Sequence, residues 1–128
     1  MKLIKNIKNT AKNVLINEGK AILQLVDLID NDFEDCVKAI LNTKGRIVVT
    51  GVGKSAIIAQ KIVATFNSTG SPALFMHAAD AIHGDLGMIQ KDDIVICISK
   101  SGNTPEIKIL VPLVKKMGSR LIGMVCNI

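Results

Sequence analysis

The chain of 128 residues has room for one hydrophobic core, so we expect residues 1–128 to form a single domain. Its formal net charge of +5 is concentrated near the start, at Lys2, Lys5, Lys8 and Lys12, and it has no Trp or Tyr, which argues against nucleic acid as a partner. No apolar run reaches the roughly eighteen residues that span a membrane, and the start lacks a signal-peptide pattern, so we expect a cytoplasmic protein with no membrane partner.

Two helices are predicted before any strand. Between residues 11 and 30 the apolar side chains recur at spacings of three, four and seven, which is typical of an amphipathic helix. Asn31 then offers an N-cap with Glu34 three residues on, the capping-box arrangement, so a second helix is predicted, antiparallel to the first. The apolar stripe of the first helix is Leu15, Ile22, Leu25, Val26 and Ile29, and that of the second is Phe33, Cys36, Val37, Ile40 and Leu41.

The rest of the chain alternates between strand and helix. Hydrophobic residues make up 48% of the sequence but only three are aromatic, so the core must be aliphatic, as in buried parallel sheets. Strands separated by helices need right-handed parallel crossovers, which predicts an α/β fold, a three-layer α/β/α doubly wound parallel sheet of the flavodoxin or Rossmann kind. The predicted strands are 46–50, 73–76, 93–98 and 120–125. A helix is predicted at 55–68, and its inward-facing residues are Ile58, Ile62, Val63 and Phe66. Another is predicted at 105–118, and its inward-facing residues are Ile107, Leu110, Val111 and Val114.

Two further expectations concern the cysteines and the end of the chain. Cys36, Cys97 and Cys126 have no CxxC spacing and fall at apolar positions of a predicted helix and two predicted strands, so we expect reduced core residues. Residues 126–128 arrive where another helix should begin, and nothing in the pattern covers that side of the sheet. We therefore expect the natural chain to continue.

The first strand is followed by a glycine-rich loop. Ligands of such sheets bind beyond the carboxyl ends of the strands. Here Gly51 and Gly53 let backbone N–H groups approach an anion at the start of a helix, beside Lys54 and Ser55. The loop lacks the earlier glycine of a Walker A motif, although Gly51, Gly53 and Ala56 fit a dinucleotide fingerprint. Lys54 taken alone fits an ordinary exposed lysine at the start of a helix, which is the commoner situation.

The third strand is followed by a loop rich in hydroxyl groups. Ser99, Ser101 and Thr104, together with Gly102, stand just before a predicted helix, an arrangement that suits a phosphate monoester. The alternative is ordinary capping, with Thr104 as the cap and Glu106 favourably placed against the helix dipole. Capping needs one hydroxyl and this loop supplies three, so phosphate binding is favoured.

Both histidines lie between these two loops. His77 with Asp80, and His83 with Asp85, could be proposed as metal ligands, but their spacing matches no closed zinc site and no cysteine joins them. We therefore expect no metal and no other cofactor. Two histidines at the ligand end of a sheet favour acid–base chemistry instead.

Four motifs together carry a family resemblance. They are Gly51-Val52-Gly53-Lys54-Ser55, Ser68-Thr69-Gly70-Ser71-Pro72, His83-Gly84-Asp85-Leu86-Gly87-Met88 and the serine-rich loop from Ile98 to Glu106. In this combination they resemble the sugar isomerase (SIS) domain of the arabinose 5-phosphate isomerase family. The similarity runs from about Ala11 to the last residue, and the stretch that begins at His83 is its most specific part. The resemblance implies the N-terminal part of a SIS domain, without the regulatory CBS domains of many relatives.

The resemblance implies a reaction and roles for residues. Members of the family interconvert D-arabinose 5-phosphate and D-ribulose 5-phosphate through an enediolate, and the product is used for Kdo, lipopolysaccharide or capsule synthesis. The resemblance also implies a dimer or tetramer with active sites between the subunits. Glu106 is the expected base, His83 serves ring opening or proton return, and Lys54 stabilises the developing oxyanion. The expected substrate and phosphate contacts are Gly51, Gly53, Ser55, Ser99, Ser101, Gly102 and Thr104.

The chain departs from the family pattern in two places. His77-Ala78-Ala79-Asp80 stands where members usually have His-Pro-x-Glu, which would alter the rim of the site or the substrate preference. The family also supplies a further glutamate and a further histidine from sequence beyond Ile128. We therefore expect these 128 residues to hold only part of the site.

Two other functions stay open at this point. A non-catalytic sugar-phosphate-binding module of a regulator would keep the hydroxyl-rich loop but has no chemical need of Lys54, His83 and Glu106 together. It would also be expected to bring a basic recognition helix, which the first two helices do not provide. A dinucleotide-binding domain would use the glycines of the first loop and Asp80, but it leaves the hydroxyl-rich loop without a role. The isomerase is favoured over both.

Overall fold

The computed structural model describes residues 6–126, in two units whose boundary lies between Val37 and Lys38. The expectations for Lys2 and Lys5, and for a helix starting near Asn127, lie outside the described residues. Helix α1 (Ile7–Gln24) is followed by a 3-10 turn (Leu25–Leu28) and helix α2 (Asn31–Leu41). The two predicted helices are thus confirmed, although the first starts earlier and changes to a 3-10 turn before it reaches residue 30. No residue of α1 or of this turn is buried.

Helix α2 is capped by Asp30. Its Oδ1 atom accepts a hydrogen bond from the backbone N–H of Phe33 at 3.0 Å, the bond expected from an N-cap to the third helical residue. Asn31 is the first residue of the helix itself. The prediction that Asn31 is the N-cap was therefore wrong by one residue, because two neighbouring residues can both cap and the sequence does not choose between them.

The second unit is built on a parallel sheet of four strands in the order β2-β1-β3-β4. Helix α3 (Lys54–Ser68) joins β1 to β2, and helix α5 (Pro105–Lys116) joins β3 to β4. The α/β class and all four strands are confirmed, with bounds within one residue of those predicted. The strands are β1 (Ile47–Gly51), β2 (Ala73–His77), β3 (Ile94–Ser99) and β4 (Arg120–Val125).

The connection from β2 to β3 was not predicted. It holds a four-residue helix, α4 (Ala78–Ala81), and a 3-10 turn (Asp85–Met88). Both are too short for an apolar period to show in the sequence. Ala78 and Ala81 of α4 are buried, so this short helix is part of the core on one face of the sheet.

The two central strands explain the aliphatic composition. Every residue of β1 and β3 is buried, because each strand has neighbours on both sides and helices over both faces. Alternate residues of β1 enter different cores: Val48 packs with Leu110 of α5, whereas Val49 packs with Ala59 of α3. This alternation confirms the predicted three layers.

The inward face of α5 was predicted correctly, whereas that of α3 was not. Ile107, Leu110 and Val114 are buried and Val111 packs beside them. On α3 the fully buried positions are Ala56 and Ala59, while Ile58 has 54% of its surface exposed. The prediction for Ile58 was wrong because small residues let the helix approach the sheet, so the buried stripe is centred on alanines. Ile62, Val63 and Phe66 are partly buried against the same core, as predicted.

A buried carboxylate joins the amino ends of the central strands. Asp93, just before β3, is 3% exposed, and its carboxylate accepts hydrogen bonds from the backbone N–H and the guanidinium of Arg46, both at 2.7 Å, and from Gln90 N–H at 2.9 Å. Burial alone would raise the pKa of Asp93, but the bonds from Arg46 and Gln90 outweigh it and hold that pKa below its usual value. The sequence did not reveal this pair.

The cysteines differ in their surroundings. Cys97 is buried in β3, and burial raises the pKa of its thiol; Cys36 is half-buried. Cys126 is exposed just beyond β4, so its predicted place in the core was wrong: the last residues of this outer strand, Met124 and Val125, are exposed as well. Within residues 6–126, no helix is long and apolar enough to cross a membrane.

Candidate functional site

The strand order leaves a crevice between the carboxyl ends of β1 and β3. From β1 the chain crosses to β2 on one side, and from β3 it crosses to β4 on the other. The two loops therefore run apart, which is the topological switch point where doubly wound sheets bind ligands. A cleft of about 300 Å³ lies there, and besides Val52 its lining consists of Ser55, Ser99, Lys100, Ser101, Thr104 and Cys126.

The first loop brings α3 close to the end of β1. A Cβ atom on Gly51, the last residue of β1, would lie 3.0 Å from the backbone carbonyl carbon of Ser55. This close approach explains the glycine, since a side chain would push the start of the helix away from the strand. Gly53 directly precedes α3, and its carbonyl accepts a hydrogen bond from Ala56 N–H at 3.1 Å. Ser55 is thereby placed in the lining of the cleft.

The second loop is held in shape by its own serines. Ser99 Oγ accepts a hydrogen bond from Gly102 N–H at 3.0 Å, and Ser101 Oγ accepts one from Asn103 N–H at 3.2 Å. Gly102 has φ +66, a left-handed conformation that favours glycine at this turn. In both bonds the serine oxygen is the acceptor, so each hydroxyl hydrogen can still be donated to an anion.

Thr104 precedes α5 but does not cap it with its side chain. Its backbone carbonyl accepts a hydrogen bond from Lys108 N–H at 3.0 Å, while its hydroxyl makes no capping bond. The capping interpretation of this hydroxyl was therefore wrong. Thr104 Oγ1 is buried and has no hydrogen-bond partner among the described residues, and the residue lines the cleft. Because such a group costs about 1–3 kcal/mol when left unpaired, a ligand that reaches it gains more than a single ordinary hydrogen bond.

The candidate catalytic residues lie at the same edge of the sheet but outside the lining of this cleft. Lys54 is the exposed first residue of α3, and His83 is exposed beyond α4, where its backbone N–H donates to Asp80 O at 2.9 Å. Glu106 is the partly buried second residue of α5. The described residues thus bring the hydroxyl groups together in one cleft, whereas Lys54, His83 and Glu106 are not among the residues that line it.

His77 has a structural role. The backbone N–H of Ala79 donates to His77 Nδ1 at 3.2 Å, so the side chain caps the short helix α4. No group of three or more His, Cys, Asp or Glu side chains capable of holding a metal ion occurs in the part of the chain that the structure describes. Lys100 and Cys126 also line the cleft, although neither was predicted as a site residue. The signal for Lys100 was its place between two serines of the predicted phosphate loop.

Comparison with known proteins gives a consistent result. The family described as "SIS domain" matches residues 40–127. The chain is 43% identical over 122 residues to the probable arabinose 5-phosphate isomerase of Haemophilus influenzae, covering 95% of this chain and 36% of that protein. It is 45% identical over 119 residues to the arabinose 5-phosphate isomerase KdsD of Pseudomonas aeruginosa, covering 93% and 36%. The chain thus spans just over a third of the length of these curated relatives.

Solved structures give the same result. A protein of Escherichia coli CFT073 in complex with arabinose 5-phosphate matches with a TM-score of 0.88 and 45% identity, over 94% of this chain and 64% of that one. A putative sugar-phosphate isomerase of Listeria monocytogenes matches with a TM-score of 0.89 and 40% identity, over 96% and 65%. Both similarities extend over nearly the whole of this chain.

Proposed function

Because the chain belongs to the SIS domain family, we propose that the protein is a sugar-phosphate isomerase that interconverts D-arabinose 5-phosphate and D-ribulose 5-phosphate. The observation that carries the proposal is the cleft at the switch point, which four hydroxyl-bearing residues line: Ser55, Ser99, Ser101 and Thr104. The relatives named arabinose 5-phosphate isomerase, at 43% and 45% identity, support the reaction itself.

The phosphate group of the substrate binds in this cleft. Ser99 and Ser101 use their oxygens to hold the loop, so their hydroxyl hydrogens remain available as donors to a ligand, and Thr104 contributes a buried hydroxyl that has no described partner. The N-termini of α3 and α5 lie beside the same loops and add favourable partial positive charge. Gly51, Gly53 and Gly102 allow the backbone to come close.

The reaction takes place where the sugar extends from the phosphate. After the ring opens, a proton leaves carbon 2 and arrives at carbon 1, while the hydrogen of the carbon 2 hydroxyl passes to the oxygen on carbon 1. Glu106, two residues beyond Thr104, carries the carbon-bound proton. His83 serves ring opening or the return of a proton, and Lys54 stabilises the negative charge of the enediolate. The partial burial of Glu106 in the first turn of α5 supports its role as the base.

The activity is proposed for the full-length protein. This chain spans 36% of the length of each of the two curated relatives described above. We expect the full-length protein to supply a further glutamate and a further histidine to the active site. Residues 1–128 would then be part of one SIS domain. We also propose that the protein forms a homo-oligomer, which the exposed apolar residues of α1 support. Its proposed role is in Kdo, lipopolysaccharide or capsule synthesis in the cytoplasm. Light scattering of the purified protein tests the oligomer, since a monomer would contradict it.

The test is isomerase activity on arabinose 5-phosphate in the full-length protein, its Glu106→Gln variant and an Asp92→Asn control. Removing a general base typically costs 10²–10⁴-fold, so Glu106→Gln is expected to reduce kcat about a thousandfold with KM little changed. Asp92 is an exposed carboxylate at the amino ends of the strands, on the opposite side of the sheet from the cleft, so its substitution should leave kcat unchanged.

Each outcome has a distinct meaning. If the full-length protein turns over arabinose 5-phosphate and Glu106→Gln does not, both the reaction and the role of Glu106 stand. If the protein binds the sugar phosphate but does not convert it, the non-catalytic module of a regulator is the better function. If turnover survives in Glu106→Gln, the base is another residue.

A further inference from the structure

We propose that Lys100 determines the preference of the cleft for phosphorylated over neutral sugars, an inference that rests on the proposed function of the same cleft. Lys100 is the single charged residue in the described lining, which otherwise offers hydroxyls, a thiol and the side chain of Val52. Lys54, the cation expected from the sequence, lies outside this lining. The formal positive charge in the lining of the cleft therefore belongs to Lys100.

The backbone of Lys100 is fixed while its side chain is available. Its carbonyl accepts a hydrogen bond from Cys126 N–H at 3.1 Å, which ties the loop after β3 to the end of β4. Ser99 on one side and Ser101 on the other hold the turn through Gly102 and Asn103. Lys100 is exposed, and among residues 6–126 its ammonium group has no ion-pair partner. A ligand in the cleft can thus pair with it without first breaking a salt bridge.

The ligand chemistry explains why one lysine matters. A phosphate monoester carries close to two negative charges at neutral pH, and neutral hydroxyls do not balance this charge. A hydrogen bond between a cation and a phosphate oxygen is roughly twice as strong as one between neutral groups. A free sugar has no charge to pair with Lys100, so it gains much less from this lysine than a phosphate does. The loss of this lysine should therefore weaken charged ligands selectively.

Cys126 provides a direct reporter of the same cleft. Its thiol is exposed and its residue lines the cleft with Lys100, whereas Cys97 is buried. A ligand that occupies the cleft should slow alkylation of Cys126 by iodoacetamide, measured on its own peptide by mass spectrometry. This readout depends on occupancy alone and does not require turnover.

The test uses the full-length protein with Lys100→Gln, Lys100→Arg and Lys91→Gln. Lys91 is an exposed lysine in a cleft at the other edge of the sheet and serves as the matched control. Arabinose 5-phosphate, inorganic phosphate and free arabinose are titrated by calorimetry at low and moderate salt. Lys100→Gln should weaken both phosphate ligands by about tenfold and reduce their salt dependence, leaving arabinose unchanged. Lys100→Arg should restore affinity to within about threefold, and Lys91→Gln should match the unmodified protein.

Three results decide the matter. Selective loss of phosphate-ligand binding and of Cys126 protection in Lys100→Gln supports the inference. If the unmodified protein binds arabinose 5-phosphate and Lys100→Gln binds it equally well, the inference fails and the proposed function survives. If the unmodified protein binds neither phosphate ligand, the proposed function fails and the inference fails with it.

Discussion

Buried polar groups differ between the two ends of the parallel strands, which are called here the amino edge and the carboxyl edge of the sheet. At the amino edge the carboxylate of Asp93 is almost fully enclosed, and its oxygens accept hydrogen bonds from Arg46 and Gln90. At the carboxyl edge Thr50 and Thr104 each have a buried hydroxyl with no partner among the described residues. The amino edge thus uses its polar groups to hold the fold together, while the carboxyl edge keeps unused hydrogen-bonding capacity next to a cleft.

This difference follows from the direction of the elements. In a parallel sheet the helices that follow the strands begin at the carboxyl edge and end at the amino edge. Helix N-termini attract anions, so the edge with Ser55 and Thr104 favours a negatively charged ligand. Helix C-termini attract cations, and Lys115 and Lys116 occupy the last turn of α5 at the opposite edge.

The largest effect on stability is expected at the amino edge. Asp93→Asn replaces one acceptor oxygen with an amide that faces the donors of Arg46 or Gln90, and it removes the charge that pairs with the guanidinium. We expect a loss of about 3 kcal/mol in the free energy of unfolding, the range for breaking a buried pair. Urea denaturation measures it, with Asp92→Asn as the exposed neighbouring control. Equal effects of the two substitutions would show that the buried pair has no special role.

The pH dependence of stability should follow from the same carboxylate. The pKa of Asp93 is lower in the folded protein than the usual value, so the ionised form stabilises the fold. Its contribution is complete above the unfolded pKa of about 3.9 and is lost as the pH falls through the lowered folded pKa. The difference in unfolding free energy between the unmodified protein and Asp93→Asn should therefore be constant near neutrality and shrink in acid. A gap that widens in acid would contradict this sign.

At the carboxyl edge, Thr104→Val should separate binding from stability. The hydroxyl makes no described bond, so its replacement by a methyl group should leave the free energy of unfolding within about 1 kcal/mol or raise it. Binding of arabinose 5-phosphate should weaken about tenfold, because the phosphate loses a buried donor. Calorimetry and urea denaturation on the same samples give both numbers. A variant that loses stability and keeps its affinity would place Thr104 in the fold instead of the site.

The smallest effect is expected at Thr50. Thr50 is 0% exposed near the carboxyl end of the central strand β1 and its hydroxyl has no described partner, so Thr50→Val should raise the free energy of unfolding by about 1 kcal/mol. A thermal melt of the two proteins is sufficient to measure it. If the substitution destabilises the protein instead, the hydroxyl has a partner such as a buried water molecule.

Much of the fold could be predicted because its signals are local. The runs at Ile47 and Ile94 are β-branched and buried on both faces, and glycines and prolines mark the ends of the helices. The Arg46–Asp93 pair could not be predicted, because its members are 47 residues apart and meet only when β1 and β3 become neighbours. The cap at Asp30 and the exposure of Ile58 were missed because each depends on a choice between adjacent residues.

The site was predictable in position and less so in composition. The rule that ligands bind beyond the carboxyl ends of strands located the loops, and the serines and Thr104 do line one cleft. Lys100 and Cys126 were missed because a single lysine or cysteine in a sequence has many ordinary explanations. The sequence favoured a phosphate-binding role for this loop over ordinary capping, but the absence of a described partner for the Thr104 hydroxyl is visible only in three dimensions.

The most direct measurement of the contrast between the two edges is a crystal structure of the full-length protein with arabinose 5-phosphate. We expect the phosphate between the loops that follow β1 and β3, within hydrogen-bond distance of Ser99, Ser101 and Thr104 and paired with Lys100. The amino edge should keep the Arg46–Asp93 pair unchanged. A phosphate bound at the amino edge, or a carboxyl-edge cleft that stays free of ligand at saturating concentration, would contradict the account.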